Sequence, residues 1–251
     1  MISFHGETDI GRRRILNEDA IFAEGDLFVV CDGMGGHKAG DVASQLAIGT
    51  VAGFVKRSGE DAEITWPYGF YARVSFDGNR LRTAIKLANR AVFRKAASAD
   101  EYTGMGTTVA AVILGRQRPQ MTYTHVGDSR IYLIRAGVII QLTRDDSWAN
   151  LSWDAGEPDD TARASMKHVL TKALGAREDV DFEVSDREVG DGDVILLCSD
   201  GLTNMVTDRR ILEIVSAQSA DLAGACAALI AEANGQGGRD NISAVLVQYR
   251  S

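Results

Sequence analysis

Four aspartates sit where apolar runs end or begin. Leu27-Phe28-Val29-Val30-Cys31 leads directly into Asp32-Gly33, and Val194-Ile195-Leu196-Leu197-Cys198 leads through Ser199 into Asp200-Gly201. His125-Val126-Gly127-Asp128 closes another run, and Asp240-Asn241 opens the last, Ile242 to Val247. A buried strand that ends in a carboxylate delivers its charge to the rim of a sheet. Desolvation and mutual repulsion make several such groups costly together. Something positive must lie between them. With 4 His and 3 Cys in the chain, a hard metal ion held by oxygen is the natural expectation. Two ions about 4 Å apart clamp a water, lower its pKa and present hydroxide at neutral pH. Gly33 has no side chain, so its carbonyl can approach an ion closely. Taken singly, an Asp-Gly pair is only a turn signal; the two strand-Asp-Gly units with Gly238-Arg239-Asp240-Asn241 carry the joint reading.

A second constellation is Gly11, Arg14, Asn17, Glu18 and Asp19. A guanidinium offers a planar fork matched to phosphate oxygens, and Glu18 and Asp19 could hydrogen-bond water held by a metal. Alone, the stretch also reads as a basic turn leading into a strand. The run Gly33-Met34-Gly35-Gly36-His37-Lys38-Ala39-Gly40 precedes a helix but lacks both the P-loop and the dinucleotide-binding spacing. His37 could give a proton to a leaving oxygen, or be structural. No Cys has an Arg six positions later, as a cysteine-dependent phosphatase requires. No Cys pair has zinc-site spacing, and no G-x-S-x-G elbow is present.

The elements that must position these groups are mostly strands. Strand patterns cover about 2–8, 20–24, 27–31, 107–114, 121–126, 130–135, 138–142, 181–188, 193–198 and 242–249. Ala136-Gly137 is expected to form a tight hairpin turn. Helical patterns come in pairs, about 38–57 with 79–98 and about 208–217 with 220–234. In the second helix Leu81, Ile85, Ala88, Val92 and Ala96 form one apolar stripe. Ile211, Leu212 and Val215, then Leu222, Cys226 and Leu229, supply the faces of the later pair. Hairpin-linked strands with two helix pairs predict antiparallel sheets covered by helices. Two long connections stand out: 58–77, with an aromatic cluster around Trp66, and the stretch after Asp145, with Trp148 and Trp153.

Composition bounds the rest. The 251 residues, 45% hydrophobic and with 3 Pro, show no linker-like stretch, and one domain is expected. A net charge of −8 argues against nucleic acid or an anionic membrane as partner. No apolar run is long enough to span a bilayer, and Met1-Ile2-Ser3-Phe4-His5 is unlike a signal peptide. Three cysteines, two inside apolar strands, read as small buried hydrophobes in a reducing compartment. A cytoplasmic location and a monomer are the expectations.

The ordered motifs resemble a known family. Gly11-x-x-Arg14-x-x-Asn17-Glu18-Asp19 is followed by Val30-Cys31-Asp32-Gly33-Met34-Gly35-Gly36-His37-x-x-Gly40-Asp41-x-Ala43-Ser44. Next come Gly104-Met105-Gly106-Thr107-Thr108, His125-Val126-Gly127-Asp128-Ser129-Arg130 and Leu142-Thr143-x-Asp145-x-Ser147. Leu170-Thr171-Lys172-Ala173-Leu174-Gly175, Leu197-Cys198-Ser199-Asp200-Gly201-Leu202 and Gly238-Arg239-Asp240-Asn241 complete the series. Together they are similar to the metal-dependent serine/threonine protein phosphatases (type 2C, or PPM) of bacterial type, along essentially the whole chain.

The resemblance implies an α+β, four-layer α-β-β-α sandwich, with two central antiparallel sheets flanked by helix pairs. It implies one phosphatase catalytic domain over 1–251, with a flap at about 146–167. The implied reaction is hydrolysis of phosphoserine and phosphothreonine on proteins by a metal-bridging hydroxide. Asp32 would bridge two Mn²⁺ or Mg²⁺ ions, Asp200 and Asp240 would complete one, and the Gly33 carbonyl would bind the other. Asp128, with Asp200, would match a third-metal site. Arg14 would bind the substrate phosphate, and Glu18 and Asp19 would act through metal-bound water. The implied partners are phosphorylated proteins, substrates of a serine/threonine kinase.

The chain also departs from the pattern. Met34 stands where many eukaryotic members place a His, with His37 three residues later. Asp146 replaces the His of the usual Asp-His-Ser after Leu142-Thr143. The flap carries Asp154, Glu157, Asp159 and Asp160, which would favour phosphosites flanked by Lys or Arg. A non-catalytic adaptor of the same fold and a hydrolase of small phosphate esters are the competing readings.

Overall fold

The computed structural model describes the chain except residues 36–38, 62, 116–118, 149, 151–168 and 251. Its strands are β1 (Ile2–Asp9), β2 (Asp19–Glu24), β3 (Leu27–Met34), β4 (Gly106–Thr107), β5 (Val109–Leu114) and β6 (Gln120–Val126). The rest are β7 (Arg130–Arg135), β8 (Val138–Gln141), β9 (Val184–Glu188), β10 (Val194–Cys198) and β11 (Ile242–Tyr249). The helices are α1 (Ala39–Glu60), α2 (Phe76–Ala96), the single turn α3 (Asp200–Thr203), α4 (Asp208–Ala217) and α5 (Leu222–Gly235). One sheet runs β1-β11-β10-β7-β8. The other runs β2-β3-β5-β6-β9, with β4 paired to β3. Every strand pairing is antiparallel.

Strand alternation sorts the side chains into three cores. In β3, Phe28 and Val30 face the other sheet, while Leu27, Val29 and Cys31 face α1 and α2. In β10, Ile195 and Leu197 join that same inter-sheet core, while Val194, Leu196 and Cys198 face α4 and α5. Three interfaces between four layers leave the central strands buried on both faces. That is why they read as continuous apolar runs rather than as alternating ones. The expected stripe of α2 is on the inside, with Leu81, Ile85, Ala88 and Val92 buried and Ala96 partly so.

Boundaries shift where the local pattern is weak. β9 begins at Val184, not 181, and α1 continues to Glu60, so the connection before α2 starts at 61 rather than 58. Trp66 organises this connection through edge-to-face contacts with Phe54, Phe70 and Phe76 at 5.7, 5.2 and 6.0 Å. Arg80 ties α2 to the end of α1. Its guanidinium reaches Asp77 Oδ1 at 2.7 Å and the Val55 carbonyl at 2.7 Å, so its buried charge is paired.

The hairpin between β7 and β8 turns at Ala136 and Gly137, with φ of +49° and +76°. This two-residue turn needs both residues left-handed, which an alanine resists. Ala136→Asn is expected to add about 1 kcal/mol of stability and to raise Tm by roughly 2–4 °C. Thermal unfolding monitored by circular dichroism checks it; an unchanged Tm would mean that the turn stores no strain.

Candidate functional site

Antiparallel pairing brings the chemistry-bearing residues to one end of the sandwich. Asp32 lies near the end of β3, where the register sets it opposite Asp19 of β2. Asp200 follows the end of β10 and opens α3, while Asp240 precedes β11, the neighbour of β10. Asp128 lies in the turn between β6 and β7. The two sheets thus present five aspartates to a common rim.

Burial and like charge act together there. The Asp32 carboxyl is held well above its usual pKa, first by burial and then by the charges of Asp19, Asp200, Asp128 and Asp240. Burial raises Asp19 to about 7, against the pull of its hydroxyl donors. Burial, then Asp200 and Asp145, raise Asp128 to about 7. Glu18 is also raised by burial, partly offset by a hydrogen bond from the Gly40 backbone.

Asp19 joins the sheets. Its Oδ2 accepts hydrogen bonds from Ser199 Oγ and Ser243 Oγ, each at 2.7 Å, across from β2 to the neighbouring sheet. Because Ser243 spends its proton on Asp19, its oxygen accepts from Thr8 Oγ1 at 2.8 Å, and Thr8 in turn accepts from Asn17 Nδ2 at 2.9 Å. Asp19 Oδ1 is buried and has no partner.

The loop that carries Arg14 is fastened at both ends by one side chain. Asn241 Nδ2 donates to the carbonyls of Ile10 and Leu16, both at 3.0 Å, and Asn241 Oδ1 accepts the Glu18 N–H at 2.8 Å. Gly11, at φ +79°, passes so close to β11 that a Cβ would lie 2.2 Å from the Asp240 carbonyl oxygen. Held this way, Arg14 Nη2 meets Asp240 Oδ2 at 2.8 Å. That hydrogen bond is the main reason the guanidinium pKa is raised.

Gly33 is confined too. A Cβ there would lie 2.0 Å from the Gly40 carbonyl oxygen and 2.6 Å from that of Glu18. The Asp32 backbone is fixed by Thr108, whose Oγ1 accepts its N–H at 3.0 Å, and by Thr107, whose Oγ1 donates to its carbonyl at 2.9 Å.

The oxygen-rich donor set expected from sequence is therefore gathered, but not as a ready-made cage. Among the described residues no three acidic, histidine or cysteine side chains converge as cation ligands. Asp240 is turned onto Arg14, and Asp200 Oδ2 accepts from Asn204 Nδ2 at 2.9 Å. Protein donors thus take part of the role that cations would fill. His37 lies outside the described residues, as do Asp154, Glu157, Asp159, Asp160 and nearly all of the expected flap. Cys31 and Cys198 adjoin the site but are fully buried. Burial raises both thiols, Cys198 to about 12, which leaves neither as a nucleophile at neutral pH.

Sequence reasoning found the aspartates and Arg14 but not the residues that hold them. Thr8 and Ser243 act through partners far away in sequence, so no local signal marks them; Thr108 and Ser199 stand inside the ordered motifs, but nothing local gives them a role. Asn241 is quoted with Asp240 in the last motif, but its ties to Ile10, Leu16 and Glu18 appear only in the fold.

Known proteins resemble this chain in sequence and in fold. The family described as protein phosphatase 2C matches residues 10–242. A serine/threonine phosphatase, stp, of Listeria monocytogenes is 36% identical over 253 residues, covering 96% of this chain and 93% of its own. The crystal structure of the Mycobacterium tuberculosis serine/threonine phosphatase PstP/Ppp superimposes with a TM-score of 0.84. It is 32% identical and covers 100% of this chain and 99% of that one. The PstP catalytic domain in complex with two manganese ions gives a TM-score of 0.82 at 32% identity, over 100% and 99% of the two chains. A match across nearly the whole length, by sequence and by fold, makes this chain a member of the protein phosphatase 2C family.

Proposed function

We propose that the chain hydrolyses phosphoserine and phosphothreonine on proteins, as a single catalytic domain that uses divalent cations. The observation that carries this reading is the rim of mutually repelling, partly buried aspartates beside a fastened arginine. The donors fit hard cations such as Mn²⁺ or Mg²⁺, because all are carboxylate or carbonyl oxygens. Asp32, Asp200, Asp240 and the Gly33 carbonyl would hold two ions, and Asp128 with Asp200 a third. When bound, the ions supply a water that is ionised at neutral pH and positive charge against the phosphoryl oxygens.

The protein's own groups do the rest. Arg14 grips phosphoryl oxygens with a planar fork and stabilises their charge as the phosphorus is attacked in line. Glu18 and the unpartnered Asp19 Oδ1 orient water at the rim. The departing serine or threonine oxygen takes a proton from water or from His37. Nothing here calls for a covalent intermediate, in keeping with the inert cysteines.

Phosphorylated proteins made by a serine/threonine kinase are the proposed substrates, met by a monomer in the cytoplasm. The negative net charge supports a surface that avoids nucleic acid and anionic membranes. No helix among the described residues is long and apolar enough to cross a bilayer. The acidic residues of the 146–167 segment would select for basic flanks through rim contacts.

Activity should vanish in chelator and return with Mn²⁺ or Mg²⁺. Asp32→Asn, Asp200→Asn and Asp240→Asn should each lower kcat/KM on a phosphopeptide by more than about tenfold while the fold survives. Full turnover in chelator, or near wild-type rates in all three variants, would end the cation reading. Phosphopeptide and small phosphate esters assayed side by side separate a protein phosphatase from a metabolite hydrolase.

Arg14→Ala should weaken phosphate inhibition and raise KM. It should also tighten Mn²⁺ binding slightly, because the guanidinium no longer competes for Asp240. Arg14→Lys should recover only part of the phosphate affinity, since an ammonium lacks the fork. Equal phosphate inhibition in wild type and Arg14→Ala would remove the arginine from the substrate site.

Metal-free protein should grow more stable as the solution is acidified from about pH 8 toward pH 6. Asp19 and Asp128 titrate near 7 when folded, against 3.8 as ordinary aspartates. A carboxyl with a raised folded pKa costs stability above that value, and the cost fades as pH falls below it. Added Mn²⁺ should flatten or reverse the trend. Tm measured across this range, with chelator and with Mn²⁺, is the test; a metal-free Tm that falls steadily on acidification contradicts it.

A further inference from the structure

Asp146, the residue that departs from the family pattern, binds two neighbouring stretches of chain. Its N–H donates to the Gly127 carbonyl at 2.9 Å, and its Oδ2 accepts the Gly127 N–H at 3.1 Å. Its carbonyl accepts the Thr171 N–H at 2.8 Å, and its Oδ1 meets Lys172 Nζ at 3.1 Å. The Asp146 side chain is 16% exposed. Gly127, immediately before Asp128, has φ +103°, and a Cβ there would lie 2.6 Å from Thr108 Cγ2. On the other side of Asp128, Ser129 Oγ is 2.7 Å from Thr108 Oγ1, the same oxygen that accepts the Asp32 N–H. Asp128 therefore projects from a turn clamped on both flanks, by Asp146 and by Thr108.

Closing the base of the 146–169 segment does not require the Asp146 side chain. The Trp148 N–H already donates to the Val169 carbonyl at 2.8 Å, and Ser147 bridges Leu170. The carboxylate instead spends one oxygen on the Gly127 peptide and the other on an ammonium. Lys172 offsets its charge, so the clamp adds little to the repulsion on Asp128.

We propose that Asp146, charge-paired with Lys172, is a positioning residue for Asp128. It fixes the Gly127 peptide and thereby the direction in which Asp128 offers its oxygens to a divalent cation. This rests on the reading of Asp128 as a cation ligand. Residues behind a ligand commonly carry about 10- to 100-fold in metal affinity when they hold that ligand in place.

The test is calorimetric titration of Mn²⁺ into the full chain, with Tm in chelator as the check on folding. Asp128→Ala should weaken or delete one class of Mn²⁺ site, and Asp146→Ala should weaken that same class by about tenfold or more. The double variant should bind no worse than Asp128→Ala alone, because the two residues act as a unit. Asp146→Asn keeps an oxygen for the Gly127 N–H and should recover part of the loss. Lys172→Met should fall between wild type and Asp146→Ala. An unchanged isotherm in folded Asp146→Ala, or losses that add in the double variant, overturns the proposal. An Asp128→Ala isotherm identical to wild type removes Asp128 as a ligand and the proposal with it. Asp32→Asn, titrated alongside, reports separately whether the chain holds catalytic cations at all.

Discussion

Negative charge that cannot be fully solvated is the constraint on which the site depends. Asp32 sits at the end of a strand buried on both faces, and its neighbours across the rim are also aspartates. Burial lifts the pKa of Asp32 and of Asp128, and the neighbouring carboxylates lift both further. Such an arrangement is unfavourable for folding alone. It persists because the strands carrying it are held by three apolar cores, whose burial tolerates a local cost at one end. Compensation then comes in fragments: Arg14 on Asp240, Asn204 on Asp200, two serines on Asp19. The first two are hydrogen bonds at partly exposed carboxylates, whereas the serines hold Asp19 from within the sandwich.

The Arg14–Asp240 pair is one of these fragments. Both side chains are partly exposed, so the pair adds little to stability. Its interest is geometric. The loop from Ile10 to Glu18 is tied to Asn241, so Arg14 reaches the rim from a fixed base rather than from a flexible arm. Were positive charge supplied to Asp240 from elsewhere, the guanidinium would be freed for an anion while its anchor stayed in place. A preorganised donor of this kind costs little reorganisation at the moment of reaction.

Much of the fold was legible because the central strands obey simple periodic rules. The extents of β7, β11 and α4 agree with the sequence reading residue for residue. Turn chemistry located the Ala136-Gly137 hairpin. The single turn α3 has no sequence signal because four residues carry no helical period, and β9 is shorter than its pattern because 181–183 alternate like a strand without pairing as one. At the site, the aspartates were visible as charges ending apolar runs, and Arg14 through a resemblance in spacing. The hydroxyls and amides that orient them were not. Thr108 meets Asp32 and Ser199 meets Asp19 across 76 and 180 residues of sequence, and only the completed topology brings such pairs together.

The cysteines show how the same architecture decides what chemistry is excluded. Cys31 directly precedes Asp32, and Cys198 lies two residues before Asp200. Strand alternation turns both side chains away from the rim and into the helix-facing cores. Burial and nearby carboxylates then disfavour the thiolate, the only form that attacks. The alternation that hides Cys31 also turns the next side chain, Asp32, to the opposite face of β3, while Asp200 lies just past the end of β10. A rim built from those ends carries carboxylate oxygens while the sulfur stays in the core, so hydrolysis by activated water fits this geometry better than attack by a thiolate.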